Sequence, residues 1–433
     1  MAEIAMEVAA PLQRSVPLRR IAPVLIGNAL EFYDFTTYAY FAKQIGDTFF
    51  PSHSPFVSLM GSLAAFGIGF AARPVGAILI GGHGDKHGRK PAMLLSFTLM
   101  GIAIVLLAAT PSFAVIGYAA PAVVVIARLM QGLAVGGGVG PTTAFLLEIA
   151  PEERRGFYTA LQYTTQGVST LLGGLVGVAL SSILDPGNLD AYGWRIAFLL
   201  GSVILPISFI IRRSLPETYN AADAPSVQSV AALPWRTIVL GFLMLGGSTI
   251  GFYVLAYLTT FASVVLHMKA NVSFAATVAF GVANIIFSTL AGILSDRFGR
   301  KPLMVIPRAL FALAIVPGFW LIVRNRDAAT LLSATFILGA LGQMGVTAFV
   351  ALSEALPKHM RSAALATVYA VAISIFGGTT QLIITWLIHV TGDPMAPAHY
   401  LLVAAIVSLI AMAMMDETAP RIVKLRAGTR AVR

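Results

Sequence analysis

The sequence predicts an all-α membrane protein with twelve spanning helices arranged as two pseudo-symmetric six-helix bundles. Three observations predict it: an apolar composition, long uninterrupted apolar runs, and a motif that recurs at about half the chain length. Of 433 residues, 57% are hydrophobic and 11% charged, against roughly 45–50% and about 25% in soluble domains. Such a chain cannot clothe its core in polar surface, so lipid is the solvent for most of its length. Lipid admits helices or a closed barrel, because backbone polar groups must find partners internally. Runs such as 102–109 and 196–211 are apolar without strand-like alternation, which selects helices.

A span takes about 20 residues. The windows are 21–42, 57–82, 91–109, 114–140, 156–184, 194–211, 235–264, 272–293, 302–323, 329–352, 362–389 and 399–415. Basic residues set the orientation. With the amino terminus inside, 21 of the 29 Lys and Arg fall in cytoplasmic segments. Five (Lys43, Arg195, Lys269, Arg324 and Arg326) fall outside, and Arg73, Arg128 and Arg308 lie within spans. The net charge of +10 is therefore read as a topology signal rather than a nucleic-acid footprint. Residues 1–20 carry Arg14, Arg19 and Arg20 without an apolar stretch and cleavage site, so a cytoplasmic segment is expected there instead of a signal peptide. The expected organisation is a first bundle at 21–213, a cytoplasmic linker at 214–234, a second bundle at 235–417 and a basic cytoplasmic tail at 418–433. Both termini are expected inside a bacterial inner membrane. The chain has no Cys, which excludes disulfides and thiolate metal sites.

The repeat is specific. The segment Gly81-Gly82-His83-Gly84-Asp85-Lys86-His87-Gly88-Arg89-Lys90-Pro91 aligns with Gly292-Ile293-Leu294-Ser295-Asp296-Arg297-Phe298-Gly299-Arg300-Lys301-Pro302, and Glu148, Pro151 and Arg155 align with Glu354, Pro357 and Arg361. Parallel repeats of six helices place a binding site between halves that rock against each other. The doubled Gly-x-x-x-Asp-Lys/Arg-x-Gly-Arg-Lys loop resembles the signature loop of the major facilitator superfamily. Within it the chain resembles the metabolite:proton symporters, and most of all their citrate and tricarballylate carriers. The residues behind this are Gly27-Asn28, Glu31-Phe32-Tyr33-Asp34-Phe35, Arg73-Pro74-Val75-Gly76, Arg128 with Gln131-Gly132, Arg155-Gly156-Phe157-Tyr158, Gly193-Trp194-Arg195 and Leu215-Pro216-Glu217-Thr218. Where many relatives carry Glu, this chain has Gly138.

Intramembrane charge is costly and marks pathways. Asn28, Glu31, Asp34 and Tyr38 follow one helical stripe and are expected to face a common cavity. Arg128 and Gln131 share a stripe of the fourth helix, and an Arg there wants a carboxylate partner; Asp34 is the candidate by analogy with sugar symporters. Glu31, Asp34 and Arg128 are thus the expected proton-coupling set, set against the alternative of a static ion pair. Arg73 either binds a carboxylate or pairs with a loop acid; Lys43 anchors the outer interface or captures anions; Arg308 reads as structural. Further expected substrate contacts are Asn28, Tyr33, Arg128, Gln131, Gln162, Tyr163, Gln166, Tyr253, Tyr257, Asn284, Gln343, Tyr369 and Gln381, against the plainer role of polar glue between helices. Asp85, Arg89, Glu148, Arg155, Asp296, Arg300, Glu354 and Arg361 are expected to gate the cytoplasmic end. Gly132, Gly136 and Gly140 are read as close-packing positions.

The resemblance implies symport of a di- or tricarboxylate with protons by a functional monomer, with no cofactor, no metal and no nucleic acid. A zwitterion or osmolyte symporter is the alternative. Drug export fits less well, because Gln166-Gly167-Val168-Ser169 lacks the expected proline. An enzyme is not expected, since no triad, metal cluster or nucleotide motif occurs.

Overall fold

The computed structural model describes residues 18–87, 89–206, 234–357 and 361–423. Nine of its helices are long and apolar enough to cross a membrane among those residues; three further helices complete twelve. In chain order they are α1 (Leu18–Tyr40), α2 (Pro55–Ala71 continued by Arg73–His87), α3 (Arg89–Ala109), α4 (Ala119–Ile149), α5 (Arg155–Ile183), α6 (from Trp194), α7 (Trp235–Thr260), α8 (Ala270–Phe298), α9 (Arg300–Asn325), α10 (Ala328–Gln343, then Thr347–Ala355), α11 (Arg361–Ala372, then Gly378–Thr391) and α12 (Ala396–Met414). The first six form one half and the last six the other.

Local sequence explains the irregular helices. Pro74 has no N–H to give to the Phe70 carbonyl one turn back. That freed carbonyl instead accepts from the Ser374 hydroxyl of α11 at 2.9 Å, a bond between the halves. In α11 the turn passes through a π segment at Ile373–Gly377, the loosening that glycine pairs in a span permit.

Small residues let the halves meet backbone to backbone. A Cβ on Gly281 of α8 would lie 2.5 Å from the Leu171 nitrogen of α5, and one on Gly174 would lie 2.8 Å from the Val278 nitrogen. On the other side of the molecule, a Cβ on Gly67 of α2 would lie 2.7 Å from the Gly378 carbonyl oxygen of α11. Within the first half, Cβ atoms on Gly132 and Gly136 of α4 would strike the Gly69 and Arg73 carbonyls of α2. The seams α5–α8 and α2–α11 enclose a central space between them.

Both ends of that space are closed. At the end away from the signature loops, Phe41 packs on Phe274 of α8 with centroids 4.9 Å apart, Thr260 donates to the Ala39 carbonyl at 3.4 Å, and Phe56 stacks on His389 at 3.7 Å. At the signature-loop end, the Asp296 carboxylate of α8 accepts from the Gly156 and Phe157 amides at 2.8 and 2.9 Å. Those amides open α5, where the first N–H groups lack intrahelical partners and the helix dipole favours an anion.

Candidate substrate and proton sites

The cavity between the halves has a volume of about 60 Å³, room for a few waters. Six of the expected substrate contacts lie on its wall: Arg73 from α2, Tyr163 and Gln166 from α5, Tyr253 from α7, Gln343 from α10 and Tyr369 from α11. Among the described residues, no acidic side chain lines it. Two cations do, Arg73 from the first half and Arg308 from the second.

Arg73 is 3% exposed, and its Nε and Nη2 have no hydrogen-bond partner. Its guanidinium lies 4.2 Å from the ring centroids of both Phe35 and Phe70. Desolvated cation–ring contacts of this kind contribute about 2 kcal/mol, which offsets part of the cost of burying the charge. Arg308, read from the sequence as structural, lies on the cavity wall. A lone Arg in an apolar helix carries no local sign of the cavity, because neighbouring helices form it.

The α1 stripe turns elsewhere. Phe32 is the α1 residue on the cavity wall, and Asp34 lies two residues on, about 200° round the helix. Asn28, Glu31, Asp34 and Tyr38 are not among the residues that line the cavity; their contacts lie in the packed interior of the first half. Asn28 donates to the Thr165 hydroxyl of α5 at 2.6 Å. Tyr38 donates to the Ser62 carbonyl at 3.2 Å. Glu31 meets the Ser96 hydroxyl at 2.9 Å, and that hydroxyl also lies 2.7 Å from the Ala134 carbonyl. A hydroxyl has one hydrogen. Ser96 therefore shares that hydrogen between the Glu31 carboxyl and the Ala134 carbonyl.

Asp34 and Arg128 are both fully buried and lie close enough to interact electrostatically, but the expected ion pair is not formed. Both Asp34 oxygens, and Nε and Nη2 of Arg128, lack hydrogen-bond partners. Arg128 donates to Gln131 Oε1 at 2.5 Å, and its guanidinium lies 4.6, 4.4 and 5.3 Å from the rings of Phe35, Tyr38 and Phe66. Aromatic faces supply the attraction that a carboxylate was expected to give. The Phe35 ring carries Arg73 and Arg128 together, so it joins the cavity wall to the Asp34 region.

The remaining expected contacts lie off the wall. The Tyr33 hydroxyl donates to the Ala197 carbonyl of α6 at 3.0 Å, inside the first half and away from the cavity. Tyr257 accepts from Thr385 of α11 at 2.8 Å. Gln381 reaches toward the Tyr253 carbonyl at 3.5 Å. The Gln162 carbonyl accepts from Asn28 at 3.3 Å. Asn284 is fully buried on α8 with both amide atoms unpartnered, beside Gly167 of α5.

Of the expected gating residues, the side chains of Asp85, Arg89, Glu148 and Arg361 lie outside the described residues. Arg155 is half-buried at the start of α5. The second signature loop forms a connected latch. Arg300 bonds Asp296 at 2.7 Å, the Ser295 hydroxyl at 2.8 Å, and both oxygens of Glu354 at 3.1 and 3.0 Å. Glu417, beyond α12, accepts from the Arg300 and Lys301 amides that begin α9. Lys43 pairs with Asp47 and Asp190 at 3.1 and 3.0 Å, which makes it an anchor between helix ends. Among the described residues, no group of His, Asp or Glu could hold a metal ion.

A cavity closed at both ends between two six-helix halves, with glycine seams along its sides, is the architecture of a transporter working by alternating access. The chain belongs to the major facilitator superfamily: the family model matches residues 24–278 and 269–430. It is 35% identical over 399 residues to the citrate-proton symporter of Klebsiella pneumoniae, covering 90% of each chain. It is 31% identical over 427 residues to the proline/betaine transporter of Salmonella typhimurium, covering 94% of this chain and 85% of that one. A crystal structure of a D-xylose-proton symporter superposes with TM-score 0.77 at 20% identity, over 92% of this chain and 98% of that one. The chain is accordingly a multi-pass membrane transporter and not an enzyme.

Proposed function

We propose that this protein imports a small di- or tricarboxylate, citrate or tricarballylate among them, by proton symport across a bacterial inner membrane. It works there as a monomer with both termini in the cytoplasm. The observation that carries this reading is the cavity wall, which among the described residues holds two buried guanidiniums and no carboxylate. Buried charge demands compensation, so a wall of this composition suits an anion. The likeness to a citrate-proton symporter agrees with that chemistry. The protons would be carried by Asp34 and Glu31, which lie off the cavity wall, with Arg128 and Phe35 relating Asp34 to Arg73. Asp85, Arg89, Glu148, Arg155 and Arg361 would join the Asp296, Arg300 and Glu354 latch in gating the cytoplasmic end.

The osmolyte reading draws on the proline/betaine relative, but a quaternary ammonium is repelled by the two cations of the wall. Uptake of labelled citrate, tricarballylate, succinate and betaine into proteoliposomes, with and without an inward proton gradient, tests the assignment. Carboxylate accumulation that collapses with a protonophore is expected. Betaine uptake exceeding that of every carboxylate overturns the organic-acid reading.

A further inference from the structure

We infer that Arg308 is a second anion-binding residue, so that the substrate is held as a bridge: one carboxylate on Arg73 of the first half and another on Arg308 of the second. This rests on the organic-acid reading above and deepens it, by naming the residue that holds the second carboxylate.

The position of Arg308 carries the argument. It is 1% exposed, midway along an apolar helix. Its guanidinium lies in a recess made by glycines on two neighbouring helices: a Cβ on Gly345 of α10 would lie 2.9 Å from Nη2, and one on Gly251 of α7 would lie 3.9 Å from Nη1. Gly345 falls in the short 3-10 break at Met344–Val346, where α10 steps aside. Ser248 of α7 accepts from Nη2 at 2.6 Å and fixes the fork. The Phe311 ring lies 5.5 Å away, at the outer edge of cation–ring attraction.

An ordinary buried Arg has a carboxylate. Arg300 of the same helix has two, Asp296 and Glu354. Among the described residues no carboxylate lies within 4.0 Å of Arg308 or of Arg73; Glu31 acts on Arg73 electrostatically from beyond that distance and the Tyr253 hydroxyl touches it, whereas Arg308 has Ser248 as its polar contact. Buried ion pairs tolerate the loss of one partner poorly, since the remaining charge stays desolvated. Two such cations on one small, acid-free wall are matched by a ligand that brings two negative groups. Guanidinium forks suit carboxylates because two parallel N–H donors meet two oxygens.

The bridge also accounts for closure. Arg73 and Arg308 belong to halves that move relative to each other, so a ligand held by both favours the state in which they lie close. A monocarboxylate satisfies one guanidinium and leaves the other uncompensated. It gains less from closing the cavity, and the protein should discriminate by carboxylate count. A tricarboxylate fills the bridge with two groups and presents its third to Gln166, Gln343 and the tyrosines, or enters with that group protonated.

The test uses the full-length protein in lipid nanodiscs and measures binding of acetate, succinate, tricarballylate and citrate by calorimetry. Wild type should bind the polycarboxylates far more tightly than acetate. Arg308→Gln should weaken succinate and citrate by on the order of 100-fold, while acetate binding through Arg73 changes little. Arg308→Lys keeps the charge but not the fork, and should weaken the same ligands about 10-fold. That variant, together with Ser248→Ala, which frees the guanidinium, provides folded protein if Arg308→Gln fails to assemble. Polycarboxylate affinity unchanged in Arg308→Lys or Arg308→Gln overturns the bridge while leaving the organic-acid reading intact. Wild type that binds none of the four acids overturns that reading itself.

Discussion

Two charged clusters in this molecule are built from the same residue types and come out opposite. At the signature-loop end, Arg300, Asp296, Glu354 and Glu417 are joined with one another or to helix N–H groups, and Thr418 adds a 2.9 Å bond to Glu354. In mid-membrane, Asp34, Arg73, Arg128 and Arg308 are as deeply buried, yet among the described residues none of them forms an ion pair. Buried polar groups are ordinarily satisfied. The saturated cluster has nothing left to bind, which suits the latch role proposed for it. The unsaturated one has donors and acceptors to spare, which is the condition for taking up a ligand and a proton.

Breaking the unsaturated cluster should have the largest effect. Asp34→Asn removes a group that can take up and release a proton. Uphill accumulation in proteoliposomes should vanish, while exchange of internal for external substrate survives. Normal accumulation by that variant would move proton coupling to Glu31. Asp296→Asn strikes the latch by weakening both the anionic cap on α5 and the pair with Arg300. A change of about 1–3 kcal/mol should shift the equilibrium by roughly 5- to 150-fold toward opening at the signature-loop end. Because the chain has no Cys, thiol labelling in a Tyr163→Cys background reads this directly, and an unchanged labelling rate would contradict the latch. Thr418→Val should be mildest. It deletes one of several bonds to Glu354, costs about 1 kcal/mol, and should show as a small fall in the thermal unfolding midpoint with transport preserved.

Much of the fold could be read from the sequence, because apolar windows and the positive-inside bias are local and additive. The doubled loop pointed to Asp296, Arg300 and Glu354 for a similar reason, being a motif with fixed spacing. The cavity wall was legible only in part. Arg73, Tyr163, Gln166, Tyr253, Gln343 and Tyr369 were found because each is polar within a span. Asn28, Tyr33, Gln131 and Tyr257 were not separable from them, since polarity alone does not say which way a helix is turned. The α1 rotation is set by Phe32 facing the cavity, a tertiary fact. Arg308 was missed because its recess is made by Gly251 and Gly345 on other helices. Asp34 and Arg128 come near each other without forming the expected ion pair, because Phe35, Tyr38 and Phe66 crowd the guanidinium, a tertiary contact that charge counting ignores.

The glycine contacts between α5 and α8 have a mechanical meaning. Ordinary helices interlock, side chains of one seated in grooves of the other, so that sliding or tilting means lifting each tooth over the next. Here much of the facing surface is bare backbone, from Gly174 opposite Val278 to Gly156 opposite Gly292. Such a surface works as a plain bearing rather than a gear: the two bodies can tilt about it without unseating a row of side chains. The friction of the transport cycle is then concentrated where the contacts are specific, at the Asp296 latch, at the Thr164 contacts with Ser288 and Thr289 within the seam, at the aromatic plug of Phe41 and Phe274, and on whatever anion ties Arg73 to Arg308. Turnover would be governed by how fast those few ties break, while the long interface beside them adds little resistance.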